Sequence, residues 1–320
     1  MTKDEIGKNL ENVFTGIEET DLPRGLTRIR GKVRDIVDFK NEYVLVTTDR
    51  ISAFDRVLAH IPFKGQVLNQ LSMYWFRETA DIIPNHIEEE ITGRTVLVKK
   101  CEVLPVEVVI RAYLTGSAWR DYSATGTVSG ITLPEGMRFN QRFDAPLLTP
   151  SHKAERGDHD EPVSSEELIS RGIVEEGLWN KIRDTAFALF ERGSKIAAER
   201  GIILVDTKYE FGLLDGELVL VDELHTPDSS RYWFADTYEE LFEKEEKQRK
   251  IDKEYLRQWL MEQDYMGDGE PPEIPDWVRV EVADRYIRAY ELITGKPFAP
   301  THADPKTEKK EILDYVRSLK

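Results

Sequence analysis

The sequence predicts an α+β fold in two lobes, an N-terminal antiparallel sheet lobe over residues 1–104 and a larger α+β lobe over 105–320. Three observations predict it. Short alternating runs separated by turn residues fill the N-terminal part. Long amphipathic helical patterns take over after Trp179. Between two strand-like runs, Pro105 marks a bend that joins the lobes.

Each element follows from its local pattern. Thr27 to Arg30, Val33 to Phe39 and Tyr43 to Thr48 read as strands of one antiparallel sheet, with Lys40-Asn41 as the turn between the last two. Gln66 to Glu78 carries Leu68, Leu71 and Trp75 at helical spacing. Thr95 to Lys99 and Val106 to Tyr113 return to strand. The polar segment from Thr149 to Val163, within LTPSHKAERGDHDEPV, reads as a loop that is long for a compact domain and therefore mobile or functional. Ser164 with Glu167 is a capping box opening a helix over Ser165 to Arg171. An amphipathic helix over Trp179 to Arg200 stops at Gly201, and strands over Ile202 to Phe211 and Glu217 to Glu223 flank Asp215-Gly216. The remainder is helical over Thr237 to Asp264, broken by MGDGEPPEIP, and helical again over Asp276 to Thr294 and in a short tail.

The segment VDTKYEFG, Val205 to Gly212, combines charge and aromatics in strand alternation. Asp206, Lys208 and Glu210 share one face, and Tyr209 and Phe211 point to the other, toward a core. Whether Asp222 of the next strand joins the charged face depends on the hairpin loop. A two-residue turn at Asp215-Gly216 puts Glu210 opposite Val221 and sends Asp222 to the far face. A three-residue loop, Leu214-Asp215-Gly216, puts Asp222 opposite Lys208 and is the expected arrangement. Two carboxylates beside a lysine suit a magnesium ion held through oxygen while the lysine meets a phosphate. A solvent-facing strand with cross-strand ion pairs explains the segment equally well.

Four other segments carry candidate chemistry. RIRGKVRDIV places Gly31, Lys32 and Arg34 at the junction of two alternating runs, where backbone N–H groups and cations can cover a polyphosphate; a hairpin turn with surface charges is the simpler explanation, and no Walker motif occurs. VLPVEVVIRAYLTGSAW brings Arg111 close to Ser117, a candidate helix N-cap beside an anion site, against a plain cap and a structural ion pair. The polar loop crowds Lys153, Asp158, His159 and Asp160, which suit substrate contact or a solvated loop, and not a transition metal. DELHTPDSSRYW offers Arg231 for bidentate pairing with a carboxylate or phosphate, within a segment whose turn residues explain themselves.

Composition removes several classes of function. Lys and Arg total 44 against 60 Asp and Glu, a formal charge of −16, which repels nucleic acid. Cys101 is the single cysteine and no N-glycosylation sequon occurs, so a reducing cytoplasm is expected. The N-terminal MTKDEIGKNLENVF lacks the apolar stretch of a signal peptide, and no apolar run is long enough to span a bilayer, so neither a leader nor a membrane partner is expected. An H-R-D loop and a D-F-G segment are missing, which weighs against a kinase-like phosphotransferase. A nucleotide-binding or interaction protein without catalysis remains the third alternative.

Taken together, LPVEVVIRAYLTGS and LVDTKYEFG resemble the phosphoribosylaminoimidazole-succinocarboxamide synthase (SAICAR synthase) family of purine biosynthesis. The resemblance extends to GKVRDIV, TDRISAFD, TPSHKAERGDHDEP, DELHTPDSSRYW and DKEYLRQWL, covering almost the whole chain. One departure is Val37, where many relatives carry Tyr. The resemblance implies a two-lobed SAICAR synthase-like fold with ATP in a cleft between the lobes. It implies that ATP activates the carboxylate of carboxyaminoimidazole ribonucleotide (CAIR) and that the amine of L-aspartate displaces phosphate. By the same resemblance, Gly31, Lys32 and Arg34 contact ATP, Lys208 reaches the transferred phosphate, and Glu210 and Asp222 hold Mg²⁺ and nucleotide. Arg111, Ser117, Lys153, Arg231 and Asp160, with Asp158 as the alternative to Asp160, form the pocket for CAIR and aspartate. Whether the chain is a monomer or a homo-oligomer is left open.

Overall fold

The computed structural model describes residues 1–54, 56–153, 160–251 and 254–319. Two compact units share the chain: Met1–Tyr74, His86–Lys100 and Ile251–Lys320 form the first, Trp75–Asn85 and Cys101–Lys250 the second. The C-terminal helices therefore belong to the same unit as the N-terminal sheet, and not to the larger lobe as expected. The cause is a set of contacts between residues far apart in sequence. Ile312, Leu313 and Val316 of the Pro305–Ser318 helix are buried against Val37, Val44, Val46 and Leu97 of the sheet. Buried Glu308 accepts a 2.7 Å hydrogen bond from Arg94 Nε and a 3.0 Å bond from Gln66 Nε2. Val37 is a fully buried core residue.

The first unit is built on five antiparallel strands in the order Thr27–Arg30, Arg34–Phe39, Glu42–Thr47, Thr95–Lys99, Ile87–Thr92. The Arg34–Phe39 strand alternates half-buried and buried residues, the signature of one face on a core. Lys40 takes φ 46° and closes the expected hairpin. Arg50–Ala53 and Arg56–His60, unpredicted from sequence, pair as a separate hairpin. The TDRISAFD segment works from inside this unit. Asp49 accepts from the Phe14 and Gly65 amides and from Arg94, while Arg50 pairs with Asp35 at 2.8 Å, all of them buried.

The second unit holds a six-stranded antiparallel sheet. Its path runs Glu161–Pro162, Arg142–His152, Glu102–Tyr113, Ile202–Leu214, Glu217–Val221, and Ser230–Phe234 also pairs with Ile202–Leu214. Behind the sheet, the Glu176–Glu199 helix buries Trp179, Ile182, Leu189 and Phe190.

Several expectations change here. Pro105 does not end a strand: it lies inside Glu102–Tyr113, next to a register shift against Ile202–Leu214, where no ladder N–H is required of it. Thr149 to His152, expected in the loop, is strand, with Thr149 opposite Val109. Its residues are polar because they border the charged face described below. The single helix expected over Thr237 to Asp264 is two, Tyr238–Glu243 and Glu254–Glu262. Glu245 takes φ 56°, and Lys250 then bridges to Trp233.

The hairpin register also differs. Leu214 pairs with Glu217 across the two-residue turn Asp215-Gly216, whose φ values of 53° and 84° are those of a type I′ turn, and Glu210 faces Val221. The three-residue loop is thus not formed.

Candidate active site

The site grows from one strand. In Ile202–Leu214, Thr207, Tyr209 and Phe211 are buried, while the side chains of Lys208 and Glu210 stay partly accessible on the opposite face. One edge of this strand is covered in turn by two others: Ser230–Phe234 pairs with 202–207 and Glu217–Val221 with 210–214. At the junction the Lys208 amide donates 3.0 Å to Ser229 O. The segment from Asp222 to Ser229 therefore enters the sheet edge beside Lys208.

Asp222 reaches the charged face even though the register sends it the other way. Its backbone turns left-handed, φ 67°, which ends the strand alternation and brings Oδ2 to 3.9 Å from Lys208 Nζ. Aspartate is one of the few residues that tolerates this conformation. Lys208 Nζ also bonds Glu210, and Glu107 Oε1 at 2.9 Å; Glu210 in turn takes the ammonium of Lys153. Burial alone would lower the pKa of Lys208, but Glu210, Asp222 and Glu107 outweigh it and raise the ammonium above its ordinary range.

Glu107 was missed by sequence reasoning. It sits directly opposite Glu210 in the ladder, a like-charge pair that is destabilising without the lysine between them. Burial raises its pKa, with Lys208 opposing and Glu210 and Asp160 adding to the rise. The signal was a lone glutamate within the apolar run Val103 to Ile110, two and four residues before Val109 and Arg111 on the same face.

Nearer the other end of the strand, Asp206 gathers the two arginines. Oδ2 accepts from Arg231, and from Arg111 NH1 at 3.4 Å, while Arg111 Nε donates 2.9 Å to Thr149 Oγ1. Burial lowers the pKa of Arg111, with Asp206 opposing. The Arg231 guanidinium lies over Gly116, where a Cβ would come within 2.6 Å of it. Gly116 opens the Gly116–Thr125 helix, so a guanidinium stands at that helix's N-terminus. Ser117 is not the cap: Thr115 holds that position without a side-chain bond, and Ser117 lies in the first turn, half-buried.

The structure thus gathers Lys208, Glu210, Asp222 and Lys153 into one group and Arg111, Arg231 and the Ser117 turn into another on the same sheet. Asp160 is exposed, beside the Glu161–Pro162 strand. Asp158 lies outside the described residues. Gly31, Lys32 and Arg34 belong to the first unit. There the Gly31 amide donates 2.8 Å to Arg34 O, and the carbonyls of Lys32 and Gly31 are each held at 3.1 Å by the buried Arg50 guanidinium, leaving the Lys32 side chain exposed.

A hard divalent cation fits the donor chemistry of Glu210 and Asp222, two carboxylates already grouped around an ammonium. Among the described residues no group of three or more His, Cys, Asp or Glu could hold a metal. Among the described residues no helix is long and apolar enough to cross a membrane.

The chain is similar to known proteins of one family. The family model described as SAICAR synthetase matches residues 27–272. A phosphoribosylaminoimidazole-succinocarboxamide synthase of Bacteroides thetaiotaomicron is 46% identical over 293 residues, covering 89% of this chain and 93% of the relative. A Saccharomyces cerevisiae SAICAR synthase solved in complex with SAICAR matches with a TM-score of 0.77 and 34% identity, over 89% of this chain and 99% of that one. A type-2 SAICAR synthetase in complex with ADP matches with a TM-score of 0.65 and 25% identity, over 85% and 100%. The chain belongs to the SAICAR synthetase family, the carbon–nitrogen ligases that use ATP to join L-aspartate to CAIR in purine biosynthesis.

Proposed function

We propose that this chain performs the family's ligation with the strand Ile202–Leu214 as its chemical centre. The observation that carries the proposal is the convergence of Lys208, Glu210 and Asp222 on one face. A carboxylate is a poor electrophile. Attack of the CAIR carboxylate oxygen on the γ-phosphorus of ATP releases ADP and leaves an acyl phosphate, whose phosphate is a good leaving group. The aspartate nitrogen then bonds to the acyl carbon, the C–O bond to phosphate breaks, and the amine loses a proton. Attack requires the neutral amine, so the ammonium form of free L-aspartate must give up a proton before the nitrogen bonds to carbon.

In this reading Lys208 meets the transferred phosphoryl group and neutralises charge as it moves, the kind of positioning and electrostatic catalysis that phosphoryl transfer requires. Glu210 and Asp222 hold Mg²⁺, which when bound offsets the charge of the nucleotide phosphates. Lys153, now on Glu210, and Arg111 and Arg231, now on Asp206, take the anionic groups of CAIR and aspartate together with Ser117 and with Asp160 or Asp158. Arg111 has five N–H donors, more than Asp206 and Thr149 use. The Gly31–Arg34 turn contacts the nucleotide phosphates, its carbonyls being drawn inward onto Arg50. The enzyme works in the cytoplasm, as the lone cysteine suggests.

ADP release measured with ATP and Mg²⁺ tests the proposal. It is expected only when CAIR and L-aspartate are both present; equal turnover without either one contradicts it.

A further inference from the structure

Asp222 holds a left-handed backbone three residues before His225, which is left-handed as well, φ 50°. A non-glycine residue in this region costs free energy and persists where its surroundings fix it. What fixes it lies on the core side of the sheet, away from the charged face.

The His225 ring is fully buried. Its Nε2 is 2.6 Å from the Tyr209 hydroxyl, and its backbone carbonyl accepts 2.8 Å from the Tyr232 hydroxyl. Trp75 meets the ring edge-on at 4.7 Å between centroids. Gly193 of the long helix leaves room for it, since a Cβ there would stand 2.3 Å from Cε1. Nδ1 has no hydrogen-bond partner among the described residues, so Tyr209 supplies the ring's one polar contact. Burying such a ring without that contact is costly.

Tyr209 stands between Lys208 and Glu210 and points the opposite way. Its hydroxyl therefore ties the strand bearing Lys208 and Glu210 to the loop bearing Asp222, from behind. We propose that Tyr209 and His225 are positioning residues that set the Asp222 carboxylate against Lys208 and Glu210. Neither residue touches a reacting group. The inference rests on the reading of Asp222 as a ligand of nucleotide-bound metal.

The test is Mn²⁺ binding to the enzyme–ADP complex, followed by the loss of the free-ion paramagnetic resonance signal, beside metal-free ADP binding by calorimetry. Tyr209→Phe, which deletes only the hydroxyl, is expected to weaken Mn²⁺ about tenfold, about 1.4 kcal/mol, with metal-free ADP affinity unchanged. Asp222→Asn should weaken Mn²⁺ at least as much, and the double variant no more than Asp222→Asn alone, because both act through one carboxylate. His225→Gln, whose side-chain amide can still pair with Tyr209, should lose less than His225→Leu; this pair carries the test should Tyr209→Phe fail to fold. Unchanged Mn²⁺ affinity in Tyr209→Phe, fully additive losses in the double variant, or equal losses in His225→Gln and His225→Leu would overturn the positioning role alone. Unchanged affinity in Asp222→Asn would overturn the reading of the site, and the inference with it.

Discussion

Lys208 Nζ and Asp222 Oδ2 stand 3.9 Å apart although the hairpin register assigns their side chains to opposite faces of the sheet. The left-handed turn at Asp222 resolves the conflict, and it makes backbone and charge separable by substitution. Asp222→Asn keeps a residue that accepts this conformation and should leave stability within about 0.5 kcal/mol, while kcat/KM falls about a hundredfold or more. Asp222→Ala should lose the same activity and cost a further ~1 kcal/mol of stability. Thermal melts and ADP-release assays on both variants check this; equal stability of the two contradicts the backbone argument.

Glu107 should show opposite effects on stability and activity. Burial and the facing Glu210 disfavour its charged form, so it costs stability as pH rises through its raised pKa. Glu107→Gln should therefore stabilise the protein at pH 8 by about 0.2–1 kcal/mol, the size of a relieved cross-strand repulsion. Turnover should fall, because Lys208 loses one of the carboxylates that hold it. Denaturant unfolding with kcat measured in parallel decides between this and a purely structural glutamate, whose removal would leave kcat unchanged.

His225 predicts a pH dependence of stability. Burial lowers its pKa from 6.5 to about 3. Between those values the unfolded chain holds a proton that the folded chain does not, so stability from this group is lost as pH falls below about 6.5, by about 1.4 kcal/mol per unit. Denaturant unfolding from pH 6 to pH 4 should show that added slope in the wild type and not in His225→Gln. Parallel slopes contradict the assignment.

Lys32 and Arg50 should separate binding from folding. Lys32 is exposed, so Lys32→Ala should leave Tm unchanged and raise KM for ATP about tenfold, the loss of one charge-assisted phosphate contact. Arg50→Lys cannot reproduce the bonds to Asp35, Thr15, Gly31 and Lys32, and should cost about 3–5 kcal/mol. Unfolding curves and initial rates against ATP concentration check both.

Much of this was legible in the sequence because it is local. The alternation in VDTKYEFG placed Lys208 and Glu210 on one face and Tyr209 in the core, and the capping box at Ser164 and Glu167 opened its helix as read. What escaped was decided elsewhere in the chain. Asp222 reaches Lys208 through one backbone dihedral that no periodicity encodes. Glu308 anchors the C-terminal helix to Arg94, 214 residues away, which no local pattern announces. The polar Thr149 to His152 strand looked like loop because its face borders charged groups and not a core. Pro105 read as a bend joining the lobes because a proline breaks local pattern, whereas it sits beside a register shift inside a strand.

The central claim is that Glu210 and Asp222 hold a nucleotide-bound divalent cation beside Lys208. Anomalous diffraction from crystals grown with ADP and Mn²⁺ tests it most directly. A manganese peak is expected within coordination distance of both carboxylates, with a β-phosphate oxygen in its shell. A peak bound by neither carboxylate, with ADP fully ordered elsewhere, would contradict it.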